Sequence, residues 1–194
     1  MRDFHDGVGG HFIAMLGLAQ QKAVSPQQIA QMAQEALIDF RIAIDSLTPN
    51  ELDLQSAIAN LRFRLQVRFD AVDVVAVWEI EDFPSTINFT VEEIFNIQRI
   101  VLEATTNCIK HAKQLTQIVI SLTWNQASSE LSLAVCDNGS WQELREETIG
   151  VFTQGRGFAN IKTRARALGA RLEIVPATTT NGTLVLLVFQ RIGH

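Results

Sequence analysis

The sequence predicts an α+β protein: an N-terminal antiparallel helical hairpin, paired into a dimeric four-helix bundle, followed by an α/β two-layer sandwich. Three observations carry this expectation. Up to about residue 70 every periodic signal is helical, after residue 70 apolar residues alternate as in half-buried strands, and between the first two strands stands a capping box. The domains are accordingly 1–69, helical, and 70–194, the sandwich.

In the first region Val8, Phe12, Met15, Leu16 and Ala19 recur at three and four residues, one face of an amphipathic helix. A second helix opens at Ser25-Pro26-Gln27-Gln28, where Ser caps and Pro suits the first turn, and its stripe runs Ile29, Ala33, Leu37, Phe40, Ile44 and Leu47. Two stripes alone bury too little for a stable monomeric hairpin, so a homodimer with its contact before residue 50 is expected. Thr48-Pro49-Asn50 ends the second helix, and Leu54, Ile58, Leu61 and Leu65 mark a shorter third.

In the second region the alternating sets are Val72, Val74, Ala76, Trp78 and Ile80, then Ile118, Ile120, Leu122 and Trp124, then Leu131, Leu133 and Val135. Stretches 171–176 and 183–190 add two strands, the last introduced by Asn181-Gly182. Thr90-Val91-Glu92-Glu93 caps a helix with Ile94, Ile97, Val101, Ala104 and Cys108 along one side. Another helix follows Gly157 and is closed by Gly169. Helices alternating with hairpin-like strands point to a mixed, largely antiparallel sheet.

Composition narrows the function. The 194 residues are 47% hydrophobic and 19% charged with net charge −5, which excludes a disordered chain. No run approaches the roughly 20 apolar residues of a membrane span, and the N-terminus lacks a signal-peptide core, so the chain reads as soluble and cytoplasmic. Cys108 and Cys136 have no second Cys or His at metal spacing, and a disulfide framework is not expected. Nucleic acid is not the expected partner, because Lys and Arg form no dense block. Lys162, Arg164, Arg166 and Arg171 come nearest, and helix-surface solvation accounts for them.

Three constellations carry chemistry. Glu103, Asn107 and His111 lie four residues apart and project from one helix face, either as a solvated stripe or with the acid and the amide, Glu103 and Asn107, offering oxygen ligands to Mg²⁺. Asp137-Asn138-Gly139 follows a strand directly: it makes an Asx turn, or a carboxylate that accepts from the exocyclic amine of a base. Gly155-Arg156-Gly157 stands at a helix entrance, where free N–H groups favour an anion and where a flexible joint would also fit.

In this order and separation, with Asn181-Gly182-Thr183 opening the last strand, the three resemble the nucleotide-binding boxes of the GHKL ATP-binding fold over about residues 70–194. Glu103 to Ala112 and Gly155 to Gly169 resemble the sensor histidine kinases of the nitrate-sensor and thermosensor subfamily. Phe4-His5-Asp6 through Gly10 then resembles that subfamily's phosphoacceptor motif.

The resemblance implies a two-component histidine kinase core that binds Mg-ATP, phosphorylates His5 and passes the phosphoryl group to the receiver domain of a response regulator. It implies that Asp6 assists His5, that Asn107 holds Mg²⁺, that Glu103 orients a ligand or water, and that Lys110 and His111 lie toward the phosphates. Asp137 with Gly139 would receive the adenine amine, Gly155 and Gly157 would close over the phosphates, and the Thr183 hydroxyl would support the carboxylate. Two alternatives accompany it: a degenerate kinase serving phosphotransfer or docking, and a GHKL ATPase or serine kinase without histidine chemistry. The family's dephosphorylating glutamine is Gly10 here, so phosphatase activity is not expected. The usual second glycine of Asp-x-Gly-x-Gly is Trp141, leaving residues 142–154 for a lid, and the few residues before His5 suggest an upstream sensor domain outside this chain.

Overall fold

The computed structural model describes residues 53–84, 87–141, 156–178, 180 and 182–190. The stripes between Val8 and Leu47, the motif with His5 and Asp6, Gly10, Gly155 and the 142–154 segment lie outside the described residues. What is described belongs to one compact unit, Asp53–His194.

That unit opens with helix α1 (Leu54–Asp70), capped by Asp53, whose Oδ1 accepts from the Ser56 N–H at 2.6 Å. Its inward stripe is the expected one, Leu54, Ile58, Leu61 and Leu65, extended by Ala57 and Phe69. It packs against helix α2 (Val91–His111) and strand β1 (Val75–Ile80). Gln98 on α2 donates from Nε2 to the Ala57 carbonyl at 2.9 Å, tying the two helices where water is excluded. The strand starts later than its alternation suggests, since Ala71–Asp73 turn out of α1 with Asp73 at φ 54°, leaving Val72 exposed and Val74 buried.

Beyond α2 come β2 (Gln117–Asn125), β3 (Glu130–Asp137), helix α3 (Arg156–Ala167), β4 (Arg171–Pro176) and β5 (Thr183–Gln190). The five strands form one sheet in the order β1-β2-β3-β5-β4. β1 and β2 pair in parallel through the α2 crossover, and every other pair is antiparallel, so the sheet is mixed as expected. Ile118, Ile120, Leu122, Leu131, Leu133, Val135, Val185, Leu187 and Phe189 form the closed face of the sheet under α2 and α3. The residues between them on β2 and β3 stay half-buried, which is why period-2 alternation was visible in the sequence.

The capping box at α2 is formed in full: Glu93 N–H donates to Thr90 Oγ1 at 3.2 Å, and Thr90 N–H donates to Glu93 Oε2 at 2.8 Å. Thr90→Ala is therefore expected to lower unfolding free energy by about 1 kcal/mol. Urea denaturation checks this, and an unchanged midpoint would show that tertiary packing alone sets the start of α2. At the other helix, Gly169 takes φ 62° just past α3, a left-handed C-terminal position that glycine adopts without penalty.

Candidate functional site

β3 ends on Asp137, where the chain must leave the sheet. Asn138 makes that exit rigid by accepting on Oδ1 from the N–H groups of Thr116 (3.0 Å) and Gln117 (2.9 Å) and donating from Nδ2 to Thr116 Oγ1 (2.7 Å). Gly139 then passes beneath the end of α2, where an added Cβ would lie 2.7 Å from the Ala112 Cβ. Ser140 closes a two-way backbone bridge with Lys113.

The Asp137 carboxylate is 1% exposed and surrounded by donors. Its Oδ1 accepts from the Gly139 N–H at 2.9 Å, the Asx turn that the sequence allowed, and its Oδ2 accepts from the Thr183 N–H at 3.0 Å. The Trp141 indole Nε1 lies 3.0 Å from Oδ1 and 2.9 Å from Oδ2, and Cys108 Sγ lies 3.6 Å from Oδ2. Burial pushes the Asp137 carboxyl above the ordinary carboxylate range, against the opposing pull of these donors. Burial, with the nearby carboxylate adding to it, pushes the Cys108 thiol well up and keeps it a neutral donor.

The β4–β5 connection is pinned to the same place. Thr180 Oγ1 donates to the Asp137 carbonyl at 2.8 Å, and Gly182 passes so close that an added Cβ would lie 1.9 Å from that carbonyl oxygen. Gly182 therefore lets β5 start against Asp137. Thr183 supports the carboxylate through its backbone N–H rather than its hydroxyl, which is buried without a hydrogen-bond partner.

Along α2 the expected face is graded rather than solvated. Glu103 is partly exposed, Asn107 is 8% exposed, and Lys110 and His111 are exposed at the helix end. The reading of this face as a solvated stripe is thereby corrected at Asn107. Its amide lies against the start of α3, where an added Cβ on Gly157 would sit 2.8 Å from Asn107 Oδ1, and its buried Nδ2 has no partner. Glu103 Oε1 meets Arg99 Nη2 at 3.2 Å.

Arg164 is a second correction. The sequence places it on a solvated helix surface, yet it is half-buried, donates from Nη1 to Asn96 Oδ1 at 2.9 Å and stands 5.5 Å over the Phe95 ring. Burial lowers its pKa from the ordinary arginine value, and the Glu103 charge partly restores it. Its place three residues after the buried Ile161 was a signal that it faces α2, as the four-residue spacing of Arg99 and Glu103 was for their pairing.

The structure thus places Asn107, Lys110 and His111 in the last two turns of α2 with Glu103 one turn before them, Gly157 at the start of α3, Asp137 at the end of β3 with Gly139 just beyond it, and Thr183 at the start of β5. Trp141 joins the two halves: it bonds Asp137, and its ring centroid lies 6.1 Å from that of His111 and 6.4 Å from that of Phe158. Among the described residues no group of three or more His, Cys, Asp or Glu is placed to hold a metal. No described helix is long and apolar enough to cross a membrane.

Solved structures with a similar fold include histidine kinases. The blue-light activated histidine kinase of Erythrobacter litoralis EL346 superposes with a TM-score of 0.66 at 16% identity, over 97% of this chain and 61% of that one. The chain thus spans about three fifths of that protein's length. The histidine kinase AdeS of Acinetobacter baumannii gives 0.60 at 13% identity, covering 95% of this chain and 97% of that one. The mycobacterial sensor histidine kinase MprB gives 0.55 at 16%, covering 73% and 97%. At such identities the likeness is one of fold. No curated protein matches the sequence. Residues 68–188 match the family described as the histidine kinase-like ATPase domain, and since they make up more than half of the chain, it belongs to that family.

Proposed function

We propose that the chain is a two-component sensor histidine kinase core, which binds Mg-ATP, phosphorylates its own His5 and hands the phosphoryl group to an aspartate of a response-regulator receiver domain. The observation that carries this reading is the meeting of a buried, donor-ringed Asp137 with the α2 face and the α3 entrance in a chain of the histidine kinase-like ATPase family. An adenine amine is matched by a carboxylate held in fixed orientation by backbone N–H groups. The α3 entrance, with Gly157 offering no side chain, suits phosphate oxygens.

The residues present fit a magnesium ion. The Asn107 amide oxygen, beside the Gly157 position that lacks a Cβ, would supply one ligand, with phosphate oxygens and water as the others. Bound there, the ion would supply neutralisation of phosphate charge. Glu103, held by Arg99, orients a ligand or water, and Lys110 and His111 reach from the exposed end of α2 toward the phosphates.

Asp6 holds the imidazole of His5 so that the free ring nitrogen is a neutral nucleophile. That nitrogen forms a bond to the γ-phosphorus as the bond from phosphorus to the β-γ bridging oxygen breaks, and ADP leaves. The receiver carboxylate then takes the phosphoryl group and the imidazole is regenerated. The chain acts as a cytoplasmic homodimer whose contact lies before residue 50, and Gly10, lacking a side-chain amide, leaves it a weak phosphatase of its partner.

Incubation with Mg-ATP labelled on the γ-phosphate tests the reading. Acid-labile, base-stable label is expected on the wild type, falling at least about 100-fold in His5→Gln through loss of the nucleophile. Acid-stable label would point to a serine kinase, and full labelling of His5→Gln would remove His5 as the acceptor.

A further inference from the structure

The carboxylate assigned to adenine already holds an aromatic N–H group from the chain itself. Trp141 is 9% exposed, its indole Nε1 lies 2.9 Å from one oxygen of Asp137 and 3.0 Å from the other, and its ring centroid lies 6.1 Å from that of His111 and 6.4 Å from that of Phe158. A flat aromatic body, a donor aimed at the carboxylate and flanking rings are the properties by which an adenine would be bound there. A carboxylate has about four lone-pair positions. Gly139 and Thr183 take one on each oxygen through their backbone N–H groups, Cys108 approaches Oδ2, and the indole N–H spans both oxygens. An incoming amine finds no acceptor position left free.

We propose that Trp141 is an internal occupant of the base site, so that an adenine nucleotide and the indole compete for Asp137 and the nucleotide binds only as the indole leaves. The inference rests on the nucleotide reading given above. Gly139 and Thr183 hold the carboxylate from the backbone, so departure of the indole leaves the acceptor aimed as before. The apparent affinity for nucleotide is then the intrinsic affinity reduced by the fraction of chains with the indole displaced. Trp141 thereby sets the nucleotide concentration at which the kinase engages.

Calorimetric titration of the full chain with Mg-ADP tests this on the wild type, Trp141→Phe and Trp141→Gly, with folding checked by circular dichroism. Trp141→Phe keeps an aromatic ring and removes only the donor, so it remains informative where the glycine variant does not fold. Losing a hydrogen bond to a charged acceptor corresponds to roughly 10- to 100-fold tighter Mg-ADP binding in both variants. In parallel, ¹⁵N-indole spectra of the wild type are recorded during the titration; the chain has 3 tryptophans, and the signal missing in Trp141→Phe identifies Trp141. That signal is expected to shift as Mg-ADP saturates.

Equal affinities in wild type and variants, or a Trp141 signal that stays fixed while Mg-ADP binds, would overturn the competition and leave the nucleotide reading standing. Absence of Mg-ADP binding in all three proteins, including a folded variant, would overturn both.

Discussion

Gly182→Ala is expected to unfold the β4–β5 corner at a cost of about 3 kcal/mol, at the upper end of what overpacking does. The added Cβ would meet the Asp137 carbonyl oxygen at 1.9 Å, its carbonyl carbon at 2.5 Å and Oδ1 at 2.6 Å. Two of these are backbone atoms at the end of a central strand and cannot rotate away. The connection itself would have to withdraw, although it is held by the Ala177 N–H on the Gly182 carbonyl at 2.9 Å and by Thr180 Oγ1 on the Asp137 carbonyl at 2.8 Å. Withdrawal would also pull the Thr183 N–H from Asp137 Oδ2, so stability and the proposed base acceptor fail together. For a domain of this size the melting temperature should fall by roughly 6–12 °C. Gly157→Ala provides the comparison, because its Cβ would press on the Asn107 side chain at 2.8 Å, a group able to change rotamer, and should cost less. A Gly182→Ala protein that melts with the wild type would mean that the β4–β5 connection has room that the structure does not give it.

The strands were legible because the sheet has one closed face. Ile118, Ile120 and Leu122 are wholly buried while Val119 and Ser121 are not, and that asymmetry writes period 2 into the sequence. Alternation is the same in either chain direction, so the order β1-β2-β3-β5-β4 could not be read from it. The capping box was legible because its donors and acceptors lie within four residues of one another. The bonds that complete the site span much greater separations: Thr183 reaches Asp137 across 46 residues, and Arg164 reaches Asn96 across 68.

Glycine is the instructive intermediate. Asn181-Gly182 looks like a turn in the sequence, and Gly139 looks like a turn residue after Asp137. Each proves to be a position where another chain segment comes too close for a Cβ, the Asp137 backbone at one and Ala112 at the other. Trp141 was visible as a departure from a glycine pattern, but its direction was not, since an indole in that position can point to solvent or into the site. The donor bond to Asp137 decides it, and turns a missing glycine into a partner of that carboxylate.

Asp137→Ala and Asp137→Asn are both expected to destabilise the fold, alanine more, and the pH dependence of the gap from wild type reports the charge of the carboxylate. Alanine leaves the N–H groups of Gly139, Thr183 and Trp141 without their acceptor, and buried unsatisfied donors cost about 1–3 kcal/mol each, so a loss of about 3 kcal/mol or more is expected. Asparagine keeps one acceptor oxygen but turns an NH₂ toward a donor and should lose less. In the wild type the carboxyl lies above its ordinary range because burial outweighs the donors. The folded chain then binds this proton more tightly than the unfolded chain does. The group's contribution to stability is therefore full below the unfolded value and declines as pH rises through the raised folded value. Asparagine does not titrate, so the stability gap between wild type and Asp137→Asn should be widest at acid pH and narrow as the pH climbs. Urea denaturation of the pair across this range decides it. A gap that instead widens with rising pH would place the folded carboxyl below its ordinary range, and the ring of donors, rather than burial, would then govern Asp137.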